Sequence, residues 1–328
     1  MKINLATNLG KIKLKNPILV ASGTFGYAKE FEKLIDLKKL GGIVTKTITL
    51  KPRLGNPPPR IVETPSGMLN AIGLQNPGAD VFVRERMPFL RTLKIPIIVS
   101  VMGHSVEEFV EVVKFLEPVA GVDGFEMNLS CPNVSYQNSA STPKASAPAC
   151  PAGRDSSLTS SARMFAHDAG MIEEVVSAVR KETKKTLIAK LSPDVSDIAQ
   201  MALSSERGGA DAVSLINTFM AMVIDIKTRR PVLGNKTGGL SGPCVRPIAV
   251  RMVWAVRKKV SIPIMGIGGI MGAKDALEFL IAGASAIQVG TANFINPQTS
   301  LDIVYGLRNF MQQERISDIK EIVGSVKE

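Results

Sequence analysis

Short β-branched runs alternate with longer amphipathic ones along most of the chain, the pattern of parallel βα units. Eight runs read as strands: Pro17–Ser22, Gly42–Thr49, Ile95–Met102, Gly124–Ser130, Thr186–Ser192, Ala212–Thr218, Pro263–Gly269 and Ala286–Thr291. They are nearly continuously apolar, as strands buried on both faces must be. Helical periodicity marks "SVEEFVEVVKFLEPVA", "GMIEEVVSAVRKETK", "RPIAVRMVWAVRKKV", "GAKDALEFLIAGA" and "TSLDIVYGLRNFMQQERI". Ser105 followed by Glu108 has the spacing of a capping box at the start of the first. Eight strands, each followed by a helix or a helix-sized insertion, predict an α/β protein of the (β/α)8 TIM-barrel class. A doubly wound sheet is the structural alternative. The alternating segment before the first strand, "INLATNLGKIKL", predicts a small N-terminal hairpin capping the barrel floor.

Three connections exceed plain turns: Lys51–Asp80, with prolines 52, 57, 58, 59, 65 and 77; Phe219–Ser241; and Val134–Arg163. Long loops in a compact fold are usually functional. In a barrel the loops that follow strands face the active site, so these insertions should border it at the C-terminal face.

Composition narrows the class. At 328 residues and 45% hydrophobic content the chain can bury a large core. Its N-terminus lacks the apolar run of a signal or membrane helix, which predicts a cytoplasmic protein with no membrane association. The net charge of +11 comes from Lys and Arg scattered over helices without interleaved aromatics, which argues against nucleic acid and leaves a solvated surface or anionic small ligands. Cys131, Cys150 and Cys244 have no C-x-x-C spacing, so neither a disulfide framework nor a metal site is expected.

The strand ends carry the chemistry. "MGIGGI" and "QVGTANF" place glycines after the last two strands, where backbone N–H groups can approach a phosphate. Lys46 stands at the mouth of strand two, Asn128, Ser130, Cys131 and Asn133 at strand four, Lys190 at strand five, Asn217 and Thr218 at strand six. Two lysines and several amides beside a phosphate site suit a polar ring system bearing a phosphate. No carboxylate pair stands out, and His104 and His167 read as surface or capping imidazoles. Cys131 is then the most plausible proton-transfer group, because a thiol in the right surroundings serves as base or nucleophile.

The stretches "NPILVASGTFGY", "KTIT", "PRIVETPSGMLNAIGLQNPG", "NLSCPNV", "AKLSPDV", "INTF", "GGLSGP", "PIMGIGGI" and "IQVGTANF" follow one another in the order of a known family. The sequence resembles class 1 dihydroorotate dehydrogenase, the flavin enzymes of pyrimidine biosynthesis. "GLQNPG" and "GNKTGGLSGP" resemble the NAD-linked class 1B catalytic subunit. The resemblance implies one FMN-binding barrel domain over residues 1–328 that oxidises dihydroorotate to orotate for UMP synthesis. It implies hydride transfer to flavin N5 and Cys131 as the base for the C5 proton, with electrons passing to NAD. That passage needs a partner subunit carrying FAD and a 2Fe-2S cluster, in a heterotetramer built on a homodimer; this chain has too few cysteines to hold such a cluster. By resemblance, FMN contacts fall on Ala21, Ser22, Gly23, Lys46, Thr47, Asn128, Lys190 and Ile216, and phosphate contacts on Gly242, Gly268, Gly269, Gly290 and Thr291. Dihydroorotate would meet Lys46, Asn70, the backbone of Ile72, Gly73 and Leu74, and Asn128, Asn133, Asn217 and Thr218. Lys46 and Lys190 would supply positive charge to substrate and flavin.

The chain departs from the family pattern in places. Ser100 stands where related sequences often have Asn, weakening one expected flavin contact, and Cys244 replaces a small residue and is expected to be buried packing. Residues 135–163 replace the family's usual active-site lid with an atypical insertion in which 17 of 29 residues are Ser, Ala or Pro. Such a composition cannot bury a core and predicts mobility. Two other readings stay open: a flavin enzyme like dihydropyrimidine dehydrogenase, whose "NLSCPH" differs at Asn133, and a flavin-binding homologue with impaired turnover.

Overall fold

The structure, a computed structural model, describes residues 2–129 and 165–327. The chain opens with β1 (Thr7–Leu9) and β2 (Ile12–Leu14), an antiparallel hairpin with Thr7 opposite Leu14. It continues through β3 (Ile18–Val20), β4 (Gly42–Val44), the inserted β5 (Ile61–Thr64) and β6 (Gly67–Asn70), β7 (Ile97–Val101), β8 (Gly124–Asn128), β9 (Thr186–Lys190) and β10 (Ala212–Leu215). A second inserted region holds β11 (Phe219–Ala221), β12 (Ile224–Asp225), β13 (Arg230–Pro231) and β14 (Gly238–Ser241), before β15 (Ile264–Ile267) and β16 (Ala286–Val289). Strands β3, β4, β7, β8, β9, β10, β15 and β16 pair in that order, all parallel, and β16 closes onto β3. The closed barrel excludes a doubly wound sheet, and its eight strands are the eight that the apolar runs predicted.

The two-residue period of each strand sorts the side chains. Ile18 and Val20, Val99 and Val101, Phe125 and Met127, Leu187 and Ala189, and Val213 and Leu215 belong to the main core shared with the helices. The alternate positions face inward. Leu19, Val44, Ile98, Ile188, Ala212, Met265 and Ala286 form an apolar layer that Leu9, Ile12 and Leu14 of the hairpin complete from below. One step further along their strands, the inward residues Ser100, Glu126, Lys190, Ser214 and Gln288 are polar and buried. An apolar floor therefore carries a polar storey, and the site stands on that storey.

Helix starts follow local chemistry. Ser105 Oγ accepts from the Glu108 amide at 3.3 Å to cap helix Val106–Leu116. The reciprocal bond of a capping box falls one residue early, on the His104 amide, which donates to Glu108 Oε2 at 2.7 Å. Asp197 caps helix Ile198–Arg207 by accepting from the amides of Ala199 and Gln200. That helix escaped the periodicity because its buried face includes Ser204 and Ser205, and Ser205 satisfies its hydroxyl on the Met201 carbonyl at 2.9 Å. The helical stretch from Ala79 to Thr92 was missed as well: it contains Pro88 and passes through a wider turn at Phe82–Arg86, which blurs the 3.6-residue pattern.

The long connections after β4 and β10 fold together. Strands β11, β14, β6 and β5 make a four-stranded antiparallel sheet in that order, with Asn70 opposite Gly239. Each loop alone is a hairpin-sized piece, and pairing them satisfies both inner edges. Residues 135–163 lie outside the described residues. Among the described residues, no helix is long and apolar enough to cross a membrane.

Candidate active site

A cavity of about 270 Å³ opens at the C-terminal ends of the barrel strands. Every described residue singled out from the sequence as a site residue lines it. Ala21, Ser22 and Gly23 enter after β3, Lys46 and Thr47 after β4, Asn128 from β8, Lys190 from β9, and Ile216, Asn217 and Thr218 after β10. Asn70, Ile72, Gly73 and Leu74 reach it from the sheet over the mouth, and Gly242, Gly268, Gly269, Gly290 and Thr291 from the opposite end. Ser130, Cys131 and Asn133 lie outside the described residues.

The amides at the floor are held in one orientation. The Thr218 amide donates to Asn217 Oδ1 at 2.9 Å, so Asn217 Nδ2 turns to Asn128 Oδ1 at 3.1 Å. Asn128 Nδ2 in turn donates to Thr47 Oγ1 at 3.4 Å, and Thr47 shares a 2.9 Å hydroxyl bond with Ser100. Ser100 thus sits behind Thr47 and outside the cavity lining, where it supports the cavity-lining threonine. Asn70 Nδ2 donates to the Gly239 carbonyl at 3.4 Å, tying the mouth strand to its partner.

Only lysines carry charge among the described lining residues. Lys190 is buried, with Nζ 3.3 Å from Ser22 Oγ and 3.5 Å from Glu126 Oε1. Lys46 is half-buried, and burial pushes its ammonium below the ordinary lysine value of 10.5; Glu30 pulls it back up and Arg60 lowers it further. Two cations facing one cavity without a lining carboxylate suit an anionic ligand.

The glycine end is shaped for a ligand to come close. Gly242, Gly268 and Gly269 hold φ of +105°, +127° and +70°, which L side chains rarely adopt. A Cβ on Gly23 would meet nothing within 4 Å, and one on Gly290 would meet only Ala21 Cβ at 3.7 Å and Thr24 Cγ2 at 4.0 Å. The glycines at these two positions leave cavity volume that a side chain would fill. Thr291 Oγ1 donates to Ser241 Oγ at 2.8 Å and joins the turn after β16 to the end of β14.

Several lining residues were not singled out from the sequence: Ile61 and Met68 of the mouth hairpin, Leu240 and Phe294, although each lies within a quoted stretch, and Val245. Apolar residues in a loop look alike until the loops are folded. Ser241 could have been found within "GGLSGP". Neither His104 nor His167 lines the cavity: His104 contacts Arg53, and burial and that guanidinium lower its pKa, while His167 is exposed at the end of a turn whose Phe165 and Ala166 are buried. Cys244, expected to be buried, is exposed, because the turn after Gly242 puts it on the outer side of the site beside Gly67.

The chain is similar to known proteins along nearly its whole length. The family profile described as Dihydroorotate dehydrogenase matches residues 4–311. The chain is 50% identical over 324 residues, 99% of each chain, to the Dihydroorotate dehydrogenase B (NAD(+)), catalytic subunit of Thermodesulfovibrio yellowstonii. The similarly named proteins of Geotalea daltonii and Trichlorobacter lovleyi are 48% identical over 326 residues, 99% of each chain, and 47% identical over 327 residues, 100% of each.

Proposed function

The chain belongs to the dihydroorotate dehydrogenase family, and on that premise we propose that it is the catalytic subunit of an NAD-linked enzyme that oxidises dihydroorotate to orotate in pyrimidine biosynthesis, with FMN in the cavity. One observation carries the reading. A single cavity gathers both lysines, the oriented amides and the left-handed glycine turns, and no carboxylate is among its described lining.

The residues fit FMN. Gly242, Gly268, Gly269, Gly290 and Thr291 would hold the phosphate, and Ser22, Gly23, Thr47, Lys190 and Ile216 the ring. When bound, FMN supplies the hydride acceptor. Lys46 pairs with the substrate carboxylate, and Asn70, Asn128, Asn217 and the turn Ile72–Leu74 match the donors and acceptors of the pyrimidine ring. Dihydroorotate loses a hydride from C6 and a proton from C5; the second needs a base. Cys131, three residues beyond the cavity-lining Asn128, takes that proton as thiolate, and Asn133 adds a further amide.

Onward transfer to NAD requires a second subunit bearing FAD and a 2Fe-2S cluster. "Catalytic subunit" in the relatives' names supports a partner of some kind. We place the chain in the cytoplasm, as one flavin-binding domain that forms a homodimer within the larger assembly.

Anaerobic titration decides. The purified protein should be yellow, dihydroorotate should bleach it, and NADH should form only after the partner is added. Colourless protein that takes up no FMN, or bleaching by dihydrouracil in place of dihydroorotate, would overturn the assignment. Cys131→Ala should slow bleaching by about 100-fold or more near neutral pH while flavin stays bound; reduction at the wild-type rate would remove Cys131 from the base position.

A further inference from the structure

Beneath the cavity, Glu126 is fully buried on β8 and belongs to the polar storey of the barrel. Its Oε2 accepts from Ser214 Oγ at 2.9 Å and from Gln288 Nε2 at 2.5 Å. Its Oε1 has no hydrogen-bond partner among the described residues and lies 3.5 Å from Lys190 Nζ. Lys190 lines the cavity and Glu126 does not.

A buried ion pair is a weak way to stabilise a fold, since apolar residues of similar volume usually serve as well or better. The layer below makes the contrast, with Ile98, Ile188 and Met265 filling the same barrel interior. Here a carboxylate has been desolvated, anchored on one oxygen by two neutral donors, and left with its other oxygen toward an ammonium that faces the site. Ser214 and Gln288 come from different strands, β10 and β16, so the carboxylate's position is set from two sides of the barrel.

We propose that Glu126 is a positioning residue for Lys190: it holds the ammonium at the cavity floor and offsets part of its charge, keeping the reduction potential of a flavin bound there low. The inference rests on the flavin reading given above. A flavin ring gains negative charge on reduction, and an uncompensated ammonium beside it would favour the reduced form. Glu126 weakens that preference. NAD is a weak oxidant, so a subunit whose electrons end on NAD gains from a flavin that gives them up readily.

The test is the midpoint potential of FMN in the holoprotein, measured by equilibrium titration against a reference dye, together with FMN affinity and the melting temperature. Glu126→Gln keeps the shape and removes the charge. The bound flavin should shift about tenfold toward the reduced form, an upward move of about 30 mV for a two-electron couple. Glu126→Asp keeps the charge but withdraws it by one methylene, and should move the potential the same way by less. An unmoved potential in a variant that folds and binds flavin overturns the proposal, whatever happens to the melting temperature. If neither variant folds, Glu126 is scaffold and the proposal also falls. If the wild-type protein binds no FMN, the flavin reading itself fails first, and the two failures are told apart.

Discussion

Lys46 shows how one residue's environment sets both affinity and pH response. Its pKa is below 10.5 because burial penalises the ammonium. Between that lowered value and 10.5 the unfolded chain binds more protons, so stability rises with pH across the window, and the burial cost is fully present below it. Lys46→Met should therefore melt no lower than wild type at pH 7. An anionic ligand needs the ammonium, so orotate affinity in the wild type should fall as pH rises through a value below 10.5. The variant should bind orotate roughly 10–100-fold more weakly, the worth of a charged hydrogen bond at about 1.5–3 kcal/mol. Its profile over that alkaline range should be flat. Calorimetric titration across pH, paired with thermal melts, checks both; a variant with wild-type affinity would detach Lys46 from the ligand.

At the scale of elements, the glycine turns after the last strands divide into two kinds. Gly269 holds φ +70°, and a Cβ there would lie 2.7 Å from Arg246 Cβ and 2.8 Å from the Gly242 carbonyl oxygen. Gly269→Ala should cost roughly 2–4 kcal/mol of stability from backbone strain plus overlap. Gly290 has room for a methyl group, but only in cavity space. Gly290→Ala should leave the melting temperature within about a degree of wild type, because an added methyl group there displaces ligand and not protein. Its FMN affinity should fall by tenfold or more, in line with overpacking of ~1–3 kcal/mol at the ligand. Denaturant melts and flavin fluorescence titrations separate the two. If Gly290→Ala keeps wild-type FMN affinity, the phosphate end lies elsewhere. The two kinds of glycine look the same in "MGIGGI" and "QVGTANF"; only the neighbours distinguish them.

Across the whole molecule, the barrel and the mouth sheet come from distant parts of the chain, and a ligand between them would tie both. Free FMN at a hundred times its dissociation constant should raise unfolding free energy by about 2.7 kcal/mol. Orotate should add to this only when FMN is present, if the ring of one forms part of the site of the other. Differential scanning calorimetry with FMN alone, orotate alone and both reads the coupling. Equal shifts with orotate in the presence and absence of FMN would place the two ligands in independent sites.

The eight barrel strands were legible in the sequence because burial on both faces leaves little choice of side chain, and the floor hairpin because its strands alternate buried and exposed positions. Polar residues at the ends of apolar strands stand out for the same reason, so Lys46, Asn128, Lys190, Asn217 and Thr218 are marked by the sequence alone. The position of Ser100 behind Thr47, the joining of two proline- and glycine-rich loops into one sheet, and the exposure of Cys244 were not legible. Each depends on contacts between residues far apart in the chain, which leave no local periodicity. Glu126 lies between the two cases. It was visible as a charged residue inside the strand "GFEMN", but its hydrogen-bond donors and its ammonium partner come from β10, β16 and β9. Local sequence thus determined which residues face the barrel interior, through the two-residue period of the strands. Only closure of the barrel decided which of them meet, because the partners of an inward side chain lie across the interior and not along its own strand.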